Sequence, residues 1–109
     1  MKEHERTILI KIKTYANQAI RFKEGMGFNA FSSDEKTIAA CVHNLSQIGE
    51  LAGRLSEDFI ITNPRIPCHK IKGMRNRIVH NYEGIQLNIV WDVLEDFLPK
   101  LIQDIDEII

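Results

Sequence analysis

Apolar residues recur every three or four positions along nearly the whole chain, and no stretch keeps the two-residue period of a strand. Ile8, Ile12, Tyr15, Ala19, Phe22 and Met26 form a first helical stripe, closed by Gly25 and Gly27. In "FSSDEK", Ser32 followed three residues later by Glu35 reads as a capping box. It opens a second, long helix expected over residues 33 to 58, with Ile38, Cys41, Leu45, Ile48, Ala52, Leu55 and Phe59 inward. Pro64 and Pro67 in "TNPRIPCHK" fix an extended link, and Pro67 can take the first position of a third helix. Ile71, Met74 and Ile78 give that helix its buried face, up to Val79 or His80, and Gly84 marks the turn after it. A fourth helix is expected from Gln86 to the C-terminus, with Val90, Val93, Phe97, Leu101, Ile105 and Ile108 inward. Pro99 inside it removes one backbone hydrogen bond and should kink it against the carbonyl of Glu95. Four helices with short links predict an all-α, antiparallel four-helix bundle, one domain over residues 1–109.

Composition narrows the class. The 109 residues are 44% hydrophobic and 27% charged, which suits a folded chain with a modest core that a partner surface would help to complete. The net charge is −1, so nucleic-acid binding would need a local basic patch and not a global field. No apolar run approaches a membrane span, and the charged start "MKEHERTILIKIK" lacks the features of a signal peptide, so a cytoplasmic protein is expected. Cys41 and Cys68 form no CxxC pair and read as free thiols. The four histidines show no HxxxH spacing, and no metal or cofactor is expected.

One stretch departs from ordinary helical sequence. "MRNRIVHNYEG" places Arg75, Asn76, His80 and Tyr82 within a few residues. Arg75 and His80 are five apart, about 140° around an unbroken helix, whereas Asn76 and His80 share a face. A shared arginine–histidine site therefore needs the helix to end before His80, or a second copy to supply the missing groups. The chemistry suits RNA. A histidine can take the proton of a ribose 2′-hydroxyl or give one to the leaving oxygen, and an arginine can bind the phosphate and stabilise the charge of its pentacovalent transition state. Asn76 could orient either group, and Tyr82 could stack on a base. The same residues also fit a plain helix end: a histidine favoured by the dipole, Asn81 as a left-handed cap, Tyr82 as a core residue with a polar tip, and Arg75 and Arg77 in solvent.

"RNRIVHNY" resembles the RxxxxHxY signature of the HEPN superfamily, and specifically of the HepT-like toxins. "DEKTIAACVHNLSQIGELAGRLS" resembles that family's second helix, "IPCHKIKGMRNRIVHNYEGI" its motif block and "IVWDVLEDFLPKL" its last helix, so the likeness runs from about Ile8 to Leu101. It implies a dimerising four-helix domain that acts as a metal-independent endoribonuclease toxin on tRNA or mRNA. Arg75 and His80 would be catalytic, Asn76 would assist, and the partner would be a minimal nucleotidyltransferase antitoxin that in some pairs adenylylates the motif tyrosine, here Tyr82. A non-catalytic interaction module for such a partner is the alternative. Cys68 stands where the family often has Trp, and Gln86 where it often has an acidic helix cap.

Other positions bear on the site. Glu50, between Gly49 and Gly53, could face the cleft and orient Arg75, or face solvent. Gly49 and Gly53 allow close helix approach. His43 and Asn44 read as surface or interface residues. Lys70, Lys72, Arg75 and Arg77 form a basic cluster where a phosphate backbone, or an acidic partner surface, could dock.

Overall fold

The computed structural model describes residues 1–80 and 86–109, with the backbone alone at Val79 and His80. Helix α1 spans Glu3–Phe22, the short α2 Phe28–Ser32, α3 Glu35–Ala52, the short α4 Glu57–Thr62 and α5 Cys68–His80. A last helical rod comprises α6 (Leu87–Asp92), a π-helical segment (Val93–Phe97) and α7 (Leu98–Ile108). No strand occurs among the described residues.

Side-chain pairs give the helix directions. Cys41 Sγ reaches the carbonyl of Ala19 while the Ser56 amide reaches Glu5, so α3 runs back along α1. Gly49 lies against Arg75, and Lys72 is the α5 side chain that reaches Gly53, so α5 reverses again. Lys13 pairs with Asp106 and Lys23 with Glu95, so the last rod is antiparallel to α1. This is the expected antiparallel bundle of four principal helices. Its core, centred on Leu9, Ile12, Leu45, Ile48, Ile71, Leu94 and Leu101, is closed to solvent.

Several local expectations are corrected. Asp34, not Ser32, caps α3: its Oδ1 accepts from the Thr37 amide at 3.1 Å, while the Ser32 hydroxyl donates within α2 to the Asn29 carbonyl. The carboxylate two residues downstream wins because it adds charge complementarity to the hydrogen bond. The long second helix is two. α3 stops at Gly53, and Ser56, whose hydroxyl accepts from the Phe59 amide, starts α4 with Glu57 and Asp58 in its first turn. The apolar stripe hid the break because Leu55 and Phe59 stay buried across it. In α1, Leu9 and Ala16 are buried, while Phe22 is exposed. Pro67 is one residue outside α5 and accepts the Ile71 amide through its carbonyl. Gln86 precedes α6 without a side-chain capping bond. Asn44 is buried and its amide donates to the Tyr15 carbonyl at 3.1 Å and to Gln18 Oε1 at 3.2 Å.

The irregularity expected at Pro99 is a π turn. Leu98 donates to the Val93 carbonyl, five residues back, just before the proline that cannot donate. The turn re-registers the rod, so Val90, Leu94, Leu98, Leu101 and Ile105 fill the core and Val93 and Phe97 are only half-buried. Both cysteines are buried free thiols. Burial pushes the Cys41 thiol up to about 11 and also raises Cys68, and both side chains pack in the core.

Asp104, on α7, is buried and joins the α4–α5 link to the last rod. It accepts from Lys100 at 2.9 Å and from Arg65 at 3.2 Å. The Lys100 hydrogen bond, reinforced by the two positive charges, holds this carboxyl below the usual range against the opposing effect of burial. A carboxyl depressed in the folded state stabilises the fold above the unfolded pKa of about 3.9, and the contribution fades as pH falls below that. Asp104→Asn should lower the denaturation midpoint at pH 7, and its difference from wild type should shrink below about pH 4. A difference that stays constant in acid would assign the effect to packing instead of charge.

Candidate active site

α5 turns Ile71, Met74 and Ile78 inward, which places Arg75 at the edge of that apolar face, against α3. The approach is close because α3 offers no side chain at Gly49. A Cβ built there would overlap Arg75 Cβ and Cγ. The aliphatic stem of Arg75 lies over this gap while its guanidinium reaches out, as long cationic side chains do at a core boundary. Nη2 pairs with Glu50, and Nη1 donates to Asn76 Oδ1 at 3.2 Å. Nε is buried and has no partner. Glu50 thus faces the cleft and holds Arg75. Both partners are partly exposed, so the pair adds less than about 1 kcal/mol to stability and chiefly sets orientation.

A cleft of about 250 Å³ opens at this pair, bounded by Gly53, Arg54, Lys72 and Asn76. Gly53 meets mainly carbonyls of its own helix, so the close approach belongs to Gly49. The basic cluster of α5 is divided. Lys72 shares the Arg75 cleft, whereas Lys70 and Arg77 line a larger groove, about 920 Å³, between α5 and the last rod. That groove has an apolar floor of Met74, Ile78, Val93 and Phe97, and Asp92, Asp96 and Lys100 of the rod line it too.

The α5 backbone stays helical through His80. The option that the helix ends before the histidine is therefore removed. Arg75 and His80 occupy register positions about 140° apart, and His80 falls only about 20° from Gly73, which lines the large groove. Tyr82, Asn81 and Gly84 lie outside the described residues, as does the His80 side chain. Among the described residues no group of histidine, cysteine or carboxylate side chains could hold a metal, and no helix is long and apolar enough to cross a membrane.

The family model for ribonuclease HepT-like proteins matches residues 12–108. The chain belongs to that family, within the HEPN superfamily. It is 35% identical to the Methanocaldococcus jannaschii protein named "Putative RNase MJ0127", over 99% of this chain and 89% of the relative. It is 30% identical to "Putative RNase TTE0752" of Caldanaerobacter subterraneus, over 79% and 77% of the two chains. It is 28% identical to "Probable ribonuclease HepT" of Thermococcus cleftensis, over 93% and 92%. No solved structure matches.

Sequence reasoning missed Arg54 in this HepT-like chain. It stands in the turn after α3, four residues beyond Glu50, and its charge next to Gly53 was the available signal.

Proposed function

We propose that this protein is a metal-independent endoribonuclease toxin whose Arg75 and His80 act together across a two-fold dimer. The observation that carries the reading is the divergence of the two residues on one continuous helix while Glu50 and Gly49 hold Arg75 ready at an open cleft. The groove between α5 and the last rod supports the dimer. Its apolar floor is bordered by Lys70 and Arg77 from α5 and by Asp92, Asp96 and Lys100 from the rod, a surface of both signs that can complement itself about a two-fold axis.

In the proposed reaction the ribose 2′-oxygen attacks the adjacent phosphorus, and its proton passes to a base. The P–O5′ bond breaks, and the leaving 5′-oxygen takes up a proton. His80 serves this proton transfer, and Arg75 binds the non-bridging oxygens as charge builds on them. Arg75 need not leave a fully satisfied site to do so, because its Nε lacks a partner in the resting pair. Asn76 steadies the guanidinium. The products are a 2′,3′-cyclic phosphate and a 5′-hydroxyl. Purified protein should cleave RNA to these ends with EDTA present. Cleavage abolished by EDTA would sink the metal-independent mechanism, and intact RNA throughout would favour the interaction-module alternative.

The proposed partner is a minimal nucleotidyltransferase antitoxin that adenylylates Tyr82. An adenylyl group two residues beyond His80 would bring a negative phosphate towards the arginines and occupy the substrate's place. Tyr82→Phe removes the acceptor oxygen and keeps the ring. It should stay toxic and escape neutralisation, with an adenylyl mass adduct on wild type alone. Full neutralisation of the Phe variant, with no adduct on either protein, would leave steric capping as the partner's mode of action.

A further inference from the structure

The Arg75 cleft continues into a second groove of about 380 Å³ between α1 and α3, sharing Glu50 and Arg54 with it. Two helical polar stripes build this groove. Lys11, Thr14 and Gln18 come from α1, Gln47 and Glu50 from α3, and Arg54 from the turn that follows α3. Among the described residues Lys11, Arg54 and Lys72 make no ion pair, and the carboxylate lining the groove, Glu50, is committed to Arg75. The floor carries the half-buried ring of Tyr15. Beneath it, buried Asn44 donates to Oε1 of Gln18, a groove-lining residue whose amide hydrogens make no hydrogen bond among the described residues. Cations without carboxylate partners, an aromatic face and oriented carboxamides are the groups that bind the phosphate, stack the base and bond the base edge of single-stranded RNA.

We propose that the α1–α3 groove is a nucleotide subsite of the RNA substrate, next to the phosphate cleaved at Arg75. Lys11 and Arg54 take the phosphate of the neighbouring nucleotide, and its base lies against Tyr15 with its edge on Gln18 and Gln47. The volume falls within the roughly 300–1,000 Å³ usual for small-ligand sites. The proposal rests on the nuclease reading, and it adds that substrate selection depends on the base beside the scissile bond.

The test is fluorescence anisotropy of a labelled single-stranded 12-nucleotide RNA on the His80→Ala protein, which holds substrate uncut. Arg54→Gln and Lys11→Glu in that background should each weaken binding about tenfold and lower the slope of log affinity against log salt by about 0.7. Gln47→Ala should change the preference among RNAs differing in one base while leaving the salt slope in place. Lys36→Glu, an exposed change outside both grooves, should leave affinity near the parent's and controls for overall charge. Unaltered thermal melting of each variant establishes that it folds. If Arg54→Gln and Lys11→Glu bind like the parent, or Lys36→Glu weakens binding as much as they do, the subsite is overturned while wild-type cleavage leaves the nuclease reading standing. Absence of both cleavage by wild type and binding by the His80→Ala protein overturns both.

Discussion

Arg75→Ala and His80→Ala proteins, each inactive alone, should recover about a quarter of wild-type RNA cleavage when mixed and allowed to exchange subunits. Each substitution by itself should slow cleavage by about 10²–10⁴-fold, the usual loss when a transition-state donor or a general acid–base group is removed. Recovery follows from the geometry. α5 is helical through both positions, so Arg75, held by Glu50 of α3, and His80 occupy register positions about 140° apart on one chain. If each site joins Arg75 of one copy to His80 of the other, a mixed dimer has one site lacking both groups and one intact site. Half the dimers are mixed and half of their sites work. A site contained within one chain would give no recovery at all. Light scattering at micromolar concentration should show twice the 12.6 kDa chain mass. A monomer that cleaves RNA would refute the shared site directly.

Much of this was legible in the residues because hydrophobic spacing reports burial. The four stripes located the four principal helices, whereas Glu50, flanked by Gly49 and Gly53, could face Arg75 or solvent until the ion pair with Arg75 decided it. The failures are equally physical. A stripe cannot show a helix break when the residues on both sides of it remain buried, which is why α3 and α4 read as one element. A π turn shifts register by one residue without altering composition, so unbroken helical spacing points Val93 and Phe97 to the core although they line the groove. Asn44 looked like a surface residue because its two hydrogen-bond acceptors lie on α1, 26 and 29 residues away. The basic cluster was a feature of sequence order. On the helix, Lys72 and Arg75 point one way and Lys70 and Arg77 another.

Gly49→Ala should lose activity although alanine is the better helix former. In a helix interior that exchange ordinarily gains up to about 1 kcal/mol. At Gly73 on α5, where a Cβ meets nothing within 4 Å, the same substitution should show that gain in protomer stability. At Gly49 the new methyl overlaps the Arg75 stem at Cβ and Cγ, the part fixed to the helix backbone and least able to move aside. Overpacking of this kind costs about 1–3 kcal/mol, so the clash outweighs the propensity gain and the melting temperature should fall. The larger effect is on catalysis. Relief requires α5 to lift from α3 or Arg75 to turn away, and either motion takes the guanidinium off Glu50. A displacement of about 1 Å at a phosphate-binding group costs on the order of 10²-fold in rate. The decisive comparison is a double-mutant cycle with Arg75→Ala. If Gly49 acts through the arginine, Gly49→Ala should slow cleavage strongly in wild type and hardly further once Arg75 is gone. Equal losses in both backgrounds would mean that the glycine serves the fold alone and that the clamp on Arg75 is incidental to cleavage.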